Sequence, residues 1–187
     1  MIISITGFMG AGKTELARLI SEEFRAMSLD LDSEIERGEG WSIAEIFELQ
    51  GETHFRTLEE RYLKQIIEKH KTRIAPKENS DIKLCLSDDE ELLCWLEDNF
   101  DLSDLLIISL GGGTLNNPAL MELVKKDTLC IYLNTPLNII TERLNRNTEN
   151  RPLLKTEGDT SLQERIEELY SNRIHTYQQA ADIIVGV

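Results

Sequence analysis

The segment from Gly7 to Thr14, which reads GFMGAGKT, constrains the fold more than any other part of the chain. It follows the short apolar run Ile2 to Thr6, typical of a buried parallel strand, and it precedes a helical pattern from Lys13 to about Phe24. The segment therefore matches G-x4-G-K-[ST] in the strand, loop and helix context that this pattern requires. We interpret it as a phosphate-binding loop (P-loop) rather than an ordinary turn.

The parts of this loop have separate tasks. Glycines let the backbone bend around a phosphate, and amides at a helix N-terminus point toward it, so Gly10, Ala11 and Gly12 are expected to contact the nucleotide. Lys13 is expected to reach the β- and γ-phosphate oxygens, and Thr14 to be a ligand of Mg²⁺, the predicted cofactor. A P-loop alone allows a nucleotide hydrolase, a switch protein or a kinase.

Asp30 and Asp32 follow a strand-like segment at a spacing of two residues. On a strand, this spacing directs both carboxylates to the same side, beside the P-loop if the two strands are neighbours. One carboxylate can then hold the metal through water while the other meets a hydroxyl group. The alternative is a solvated strand end, which the P-loop makes less favourable.

Three consecutive glycines, Gly111, Gly112 and Gly113, follow the strand candidate Leu105 to Ser109. Because glycines have no side chains, they leave the backbone accessible to a ligand, and ligands of open α/β sheets bind at the carboxyl ends of strands. A flexible turn is the alternative interpretation of this signal by itself.

Other local signals complete the fold prediction. Ser42 with Glu45 and Ser161 with Glu164 have the capping-box form of helix starts, and Thr135-Pro136 indicates a third. Further strands are predicted at Leu129 to Leu133 and Asp182 to Val187. Strands that alternate with helices favour a mainly parallel sheet with helices on both faces, a three-layer α/β/α architecture.

Two segments depart from this alternation. Residues 71–104 contain Pro76, an Asn79 turn signal and a short amphipathic pattern at Leu92 to Leu96, and we interpret them as an ordered insertion with a tether. Residues 146–160 are polar and rich in turn formers, which is typical of a mobile loop.

The formal charge of −14 disfavours nucleic acid and anionic membranes as partners, because such binding depends on basic patches. Arginines that bind anionic substrates must therefore be concentrated locally. At 187 residues, with no signal peptide and no membrane span in the sequence, we expect one domain in the cytoplasm, acting as a monomer. The cysteines, Cys85, Cys94 and Cys130, indicate neither disulfides nor zinc.

Beyond the P-loop, a set of motifs that spans nearly the whole chain resembles the shikimate kinases. These motifs are Asp30-x-Asp32-x-x-Ile35-Glu36, Gly40-Trp41-Ser42-Ile43-Ala44-Glu45-Ile46-Phe47, Gly51-Glu52-x-x-Phe55-Arg56-x-x-Glu59, Gly111-Gly112-Gly113, Arg151-Pro152-Leu153-Leu154, and Arg173 ahead of Tyr177. The block from Asp30 to Glu59 is far more specific than the P-loop.

The resemblance implies a five-stranded parallel sheet of the nucleoside monophosphate kinase type and transfer of the γ-phosphate of ATP to the 3-hydroxyl of shikimate, in aromatic amino acid biosynthesis. It divides the chain into a core (1–30 and 105–187), a shikimate-binding helical region (31–70), the insertion (71–104) and a lid (146–160). Members of the family have a much shorter connection where this chain has the insertion, and they continue into another helix after the last strand.

The resemblance also implies residue roles. Asp32 would hold the shikimate hydroxyls and accept the proton of the attacking one, while Asp30 would lie near Mg²⁺. The acceptor site would comprise Arg56 and Arg173 on the carboxylate, Glu59 orienting Arg56, the backbone of Gly111, Gly112 and Gly113, and the apolar walls Phe47 and Phe55. Arg151 would close over the transferring phosphoryl group, with Lys13 and Asp32 as the other catalytic residues, and Arg146 or Arg143 would stack on the adenine.

Alternatives stay open for single residues and for the whole chain. Arg173 is alternatively a solvated residue of a helix surface, and Phe47 a core residue. The chain is alternatively a kinase for another hydroxylated acid, or a nucleotide-binding regulatory domain without turnover. The acceptor-side residues weigh against the regulatory domain, because a switch does not need them.

Overall fold

A computed structural model of the chain describes residues 1–70, 83–146, 154 and 161–186, which form one α/β unit. The strands of these ranges are β1 (Ile2–Thr6), β2 (Met27–Asp30), β3 (Leu84–Leu86), β4 (Leu106–Ser109), β5 (Leu129–Asn134) and β6 (Ile183–Gly186). The α-helices are α1 (Lys13–Phe24), α2 (Leu31–Glu39), α3 (Ile43–Lys69), α4 (Asp89–Asn99), α5 (Pro118–Asp127), α6 (Leu137–Arg146) and α7 (Leu162–Ala180), with a 3₁₀ turn at Thr114–Asn116.

The strands form one parallel sheet in the order β2-β4-β1-β5-β6-β3. Successive residues of central β1 face opposite layers: Ile2 packs with α2, α3 and α5, and Ile3 packs with α1 and α4. A strand covered on both faces has few polar positions, and its buried Ser4 hydroxyl is satisfied by the Thr128 hydroxyl at 2.7 Å. The three-layer α/β/α class predicted from the sequence is confirmed.

The sheet has six strands rather than five, because part of the predicted insertion joins it. β3 pairs in parallel with β6, and α4 packs its buried side chains, Leu92 and Leu96, into the same core cluster as Ile3 and Ile5. A three-residue strand is too short to give a periodic signal in the sequence. Residues 84–99 are therefore part of the packed core, and the first part of the segment, 71–82, lies outside the described residues.

A helix begins at or next to each of the three predicted starts, but the predicted side-chain cap is found at only two of them. Ser42 and Ser161 both form complete capping boxes, at the starts of α3 and α7. Thr135 was predicted to cap α6, but its hydroxyl donates instead to the carbonyl of Ala11, at 2.8 Å, in the P-loop. The helix begins at Leu137, and the carbonyl of Pro136 accepts backbone hydrogen bonds from Ile139 and Ile140.

No helix in the described ranges is long and apolar enough to cross a membrane. The longest, α3, spans 27 residues and contains a kink at Gly51, whose φ of 81° is not helical. This kink separates the segment that carries Phe47 from the segment that carries Arg56 and Glu59.

We predict that Leu96→Ala lowers the free energy of unfolding by about 2–5 kcal/mol, the range for removing a buried leucine side chain. Leu96 is 0% exposed, whereas Leu49, which is 62% exposed, offers the same substitution at the surface. Leu49→Ala should change stability by less than about 0.5 kcal/mol in the same urea titration. Equal effects of the two substitutions would show that α4 is not part of the folding core.

Candidate active site

A cavity of about 610 Å³ lies at the carboxyl ends of β1, β2, β4 and β5. It is lined by Met9, Gly10, Ala11, Gly12, Lys13, Thr14, Glu15, Leu16, Asp30, Asp32, Asp89, Ser109, Leu110, Gly111, Gly112, Leu133 and Arg143. This position agrees with the rule that open α/β sheets bind ligands at their carboxyl edge. The predicted P-loop, both predicted aspartates and two of the three predicted glycines thus meet in one space.

The P-loop has a backbone that requires glycine at two positions. Gly10 has a φ of 80° and Gly12 a φ of 107°, both in the left-handed region that side chains disfavour. Two side chains from beyond β5 contact the loop: Ala11 O accepts hydrogen bonds from Thr135 Oγ1 at 2.8 Å and from Arg143 Nη1, in α6, at 2.9 Å. Residues more than 120 positions away therefore support the loop that precedes α1, whose bends are made by its own glycines.

Lys13, Thr14 and Asp30 form the part of the site predicted for phosphate and metal. Lys13 Nζ donates to the carbonyl of Phe8 at 3.1 Å, so its side chain lies along the loop. Thr14 Oγ1 donates to Asp30 Oδ2 at 3.0 Å. The hydroxyl and the carboxylate predicted to lie near Mg²⁺ are thus side by side.

Asp30 and Asp32 do meet at the cavity, but not through strand geometry. β2 ends at Asp30, whose carboxylate accepts a hydrogen bond from the amide of Ser33 at 3.1 Å and so caps α2. Asp32 lies in the first turn of that helix. The prediction that alternation along a strand aligns the two carboxylates is wrong, because the N-cap turns the chain into a helix between them.

Asp32 is in an unusual electrostatic environment. Burial, followed by the neighbouring charges of Glu59 and Asp30, raises its pKa to about 7, although Lys13 and Arg56 act in the opposite direction. Its Oδ1 atom is buried without a hydrogen-bond partner among the described residues. A buried acceptor without a donor costs free energy, so this atom indicates a place for a bound hydroxyl group.

Glu59 connects the acceptor-side residues. Its side chain is 1% exposed. It accepts a hydrogen bond from Arg56 Nη1 at 2.6 Å and another from the Thr114 hydroxyl at 2.5 Å. Gly111 lies against this cluster, since an added Cβ there would be 2.9 Å from atoms of Asp32, Glu59 and Thr114. Any side chain at position 111 would thus displace the carboxylates.

The two predicted clamp arginines converge on the glycine loop. An added Cβ at Gly113 would lie 2.7 Å from Arg56 Nη2, and Arg173 Nη1 donates to the carbonyl of Gly112 at 3.2 Å. Arg173 is 4% exposed and lies over the ring of Phe8, 5.9 Å from its centroid. The alternative of a solvated arginine on a helix surface is therefore wrong.

Some predicted residues lie apart from the cavity lining. Arg146 is exposed and pairs with Glu142, whereas Arg143, the alternative for adenine stacking, lines the cavity. Phe47 and Phe55 pack on each other with ring centroids 4.9 Å apart, and both contact the hydrophobic core. Arg151 lies outside the described residues, as do residues 147–153 and 155–160 of the predicted lid.

The sequence interpretation missed Thr114, Thr135 and Asp89. Thr114 directly follows the three glycines, and that adjacency was an available signal. The bond from Thr135 to the P-loop has no local signature. Asp89 comes from the predicted insertion yet lines the same cavity as Lys13, so that segment is not isolated from the site.

The oxygen atoms of Thr14 and Asp30 are suitable ligands for a magnesium ion that is also bound by substrate phosphates and water. Within the described ranges, no group of three or more His, Cys, Asp or Glu side chains could hold a metal ion. Mg²⁺ commonly uses one or two carboxylates together with substrate phosphates and water, rather than a full protein cage. The pair of Thr14 and Asp30 beside the P-loop suits that arrangement.

A P-loop on a parallel α/β sheet, opposite a buried carboxylate and two arginines, defines a kinase-type phosphotransferase for a small anionic acceptor. The family model described as shikimate kinase matches residues 9–76 and 94–187. The chain therefore belongs to the shikimate kinase family. The unmatched residues between these two stretches include β3 and the first turn of α4.

Relatives and solved structures agree with this membership. A shikimate kinase of Aromatoleum aromaticum is 31% identical over 185 residues, covering 99% of this chain and 84% of the relative. One of Chlorobium chlorochromatii is 33% identical over 189 residues, covering 98% and 80%. The structure of shikimate kinase from Acinetobacter baumannii in complex with shikimate has a TM-score of 0.75 at 28% identity, covering 100% of this chain and 83% of that one.

We predict that Glu59→Gln lowers the free energy of unfolding by about 2 kcal/mol, because it removes the buried partner of Arg56. Glu52→Gln is the matched control, since Glu52 pairs with the same arginine but is 51% exposed. Exposed pairs contribute less than about 1 kcal/mol, so the control should be nearly neutral in urea unfolding. A larger loss in the control would mean that the exposed pair, not Glu59, stabilises Arg56.

Proposed function

We propose that this chain transfers the γ-phosphoryl group of ATP to the 3-hydroxyl of shikimate, giving shikimate 3-phosphate and ADP. The observation that carries the proposal is a single cavity joining Lys13 and Thr14 of the P-loop to the buried carboxylate of Asp32. Membership of the shikimate kinase family supports the choice of acceptor. We propose that the protein acts in the cytoplasm as a monomer, with neither nucleic acid nor membrane as a partner.

The donor half of the reaction uses the P-loop. Gly10, Ala11 and Gly12 offer backbone amides to the phosphates, and Lys13 moves from the Phe8 carbonyl to the β- and γ-phosphate oxygens. Mg²⁺, held near Thr14 and Asp30, would neutralise part of the charge on the β- and γ-phosphates. Phosphoryl transfer needs mainly such positioning and electrostatic stabilisation, because the protein forms no covalent bond.

The acceptor half uses Asp32 as the proton acceptor. As the acceptor oxygen bonds to the γ-phosphorus, the bond from phosphorus to the bridging oxygen of ADP breaks, and the hydroxyl proton passes to the Asp32 carboxylate. A base with a pKa near the working pH suits this role, and burial gives Asp32 such a pKa. The backbone of Gly111, Gly112 and Gly113 is proposed to contact the ring hydroxyls.

The carboxylate of the acceptor is proposed to bind between Arg56 and Arg173. Both guanidinium groups lie at the glycine loop, one against Gly113 and one on the carbonyl of Gly112. A planar guanidinium can bond both oxygens of a carboxylate, which an ammonium group cannot do. Phe47 and Phe55 are proposed as apolar walls, and Arg151 and either Arg146 or Arg143 keep their predicted roles at the phosphate and adenine.

The proposal is tested by ADP release in a coupled assay with Mg²⁺ and ATP against shikimate, quinate, gluconate and no acceptor. We expect turnover with shikimate well above the rate without an acceptor. A preference for quinate or gluconate would assign a different hydroxylated acid. Equal rates in all four reactions would favour a nucleotide-binding domain without a kinase function.

We predict that Lys13→Ala lowers turnover while shikimate binding to the protein without nucleotide is largely kept, because Lys13 serves the phosphates and not the acceptor. Thr14→Ala should behave in the same way. Isothermal calorimetry measures the binding, and the coupled assay measures turnover. Loss of shikimate affinity in these variants would contradict the division into phosphate and acceptor sites.

We predict that Arg173→Ala raises the KM for shikimate by about 30-fold to a few thousand-fold, the range for truncating one partner of a buried charge pair. Arg173→Lys should also be impaired, because it cannot make the two-pronged contact. The KM for ATP should change much less. Arg165→Ala, which removes an arginine paired with Glu168 on the same helix, is the matched control.

An acceptor analogue with a neutral amide in place of the carboxylate refines this test. The parent enzyme should use the amide poorly, and Arg173→Ala should lose little more with it. If parent and variant discriminated equally against the amide, or if the KM for ATP rose as much as that for shikimate, Arg173 would not bind the acceptor carboxylate.

A further inference from the structure

The carbonyl oxygen of Gly112 receives two side-chain hydrogen bonds from α7. The Tyr177 hydroxyl donates to it at 2.5 Å, and Arg173 Nη1 donates at 3.2 Å. Tyr177 is 1% exposed, and burial raises the pKa of its hydroxyl, which therefore stays protonated as a donor. A tyrosine that the phosphate and acceptor assignments do not use is thus bonded to the glycine loop, which is proposed to contact the acceptor.

The hydrogen bond from Tyr177 orients the whole peptide group between Gly112 and Gly113. The carbonyl of Gly112 and the N–H of Gly113 belong to one planar trans peptide, in which they point in opposite directions. Holding the carbonyl toward α7 therefore directs the Gly113 N–H away from α7. On the other side, an added Cβ at Gly112 would lie 3.1 Å from the amide nitrogen of Met9, so the peptide is also packed against the P-loop.

Gly111 O and Gly113 O accept backbone hydrogen bonds from Thr114 and Asn116, whereas Gly112 O accepts from the side chains of α7. Three consecutive residues without side chains have a wide choice of backbone conformations, and ordering them costs conformational entropy. Arg173 makes the longer contact with this carbonyl and is also proposed to bind the acceptor. Tyr177 makes the shorter contact, its hydroxyl is enclosed, and its ring is packed 5.5 Å from that of Tyr132.

We propose that Tyr177 is a positioning residue for the acceptor: its hydroxyl sets the orientation of the Gly112–Gly113 peptide, so that the backbone and Arg173 are arranged to bind shikimate before it arrives. Pre-arranged groups bind a ligand more tightly, because less freedom is lost on binding. This proposal rests on the proposed function, and it adds a residue that acts through the glycine loop without contacting the acceptor.

Tyr177→Phe tests the proposal, and Tyr132→Phe is the matched control. Tyr132 is also buried, in the same ring pair, but its hydroxyl donates to Asn134 Oδ1 at 3.1 Å and not to the glycine loop. We expect Tyr177→Phe to raise the KM for shikimate about three- to tenfold, the effect of losing one neutral hydrogen bond, with the KM for ATP unchanged. Tyr132→Phe should change neither constant.

A second measurement reports the bond without any substrate. The only Gly-Gly pairs in the chain are Gly111-Gly112 and Gly112-Gly113, so an HNCO spectrum of protein labelled with [1-¹³C, ¹⁵N]glycine contains two signals. The Gly113 signal carries the carbonyl shift of Gly112. It should move in Tyr177→Phe and stay in place in Tyr132→Phe.

The outcomes separate this proposal from the proposed function. A parent protein that does not phosphorylate shikimate refutes the proposed function, while the HNCO spectra still report the Tyr177 bond. If the parent is active but the two variants share the same KM for shikimate, Tyr177 contributes packing only and the positioning role is refuted. An unchanged Gly112 carbonyl shift in Tyr177→Phe refutes the bond itself.

Discussion

The buried carboxylate of Glu59 is the contact on which the acceptor half of the structure depends. A charge that loses its water must be compensated by its neighbours, and Glu59 is compensated by Arg56 and Thr114. These partners come from α3 and from the turn after β4, so one charge holds together the helical region and the sheet edge. Its negative field also contributes to the raised pKa of Asp32.

This arrangement explains how a chain with a formal charge of −14 can bind anions. Charges on the surface are screened over about 8 Å at physiological salt, so the net charge has little influence inside a cleft. The cations near the cavity are Lys13 in the P-loop and, at the glycine loop, Arg56 and Arg173, which are proposed to bind the substrates. Glu59 holds Arg56 in place, whereas the carbonyl groups of Phe8 and Gly112 accept hydrogen bonds from Lys13 and Arg173.

The sequence predicted those features whose cause lies within a few residues. The P-loop and the capping boxes of Ser42 and Ser161 depend on local backbone and side-chain geometry, and all appear as predicted. The features it missed depend on contacts across the chain. Thr135 has the local sequence form of a helix cap, but its hydroxyl donates a hydrogen bond to the carbonyl of Ala11, 124 positions away in the sequence. For the same reason the sequence did not predict the strand β3, which is recognised by its pairing with the distant strand β6.

The residues that would contact the acceptor come from α2, α3, the loop after β4, and α7, which lie far apart in the sequence. Their relative positions depend on rigid elements and on a few bonds between them, such as those that Arg173 and Tyr177 make to Gly112. An added Cβ at Gly112 would lie 3.1 Å from the amide nitrogen of Met9, so the loop proposed to bind the acceptor lies close to the P-loop. Phosphoryl transfer requires the two reacting groups to be aligned, and on the proposed assignment the closeness of these two loops would set that alignment before either substrate binds.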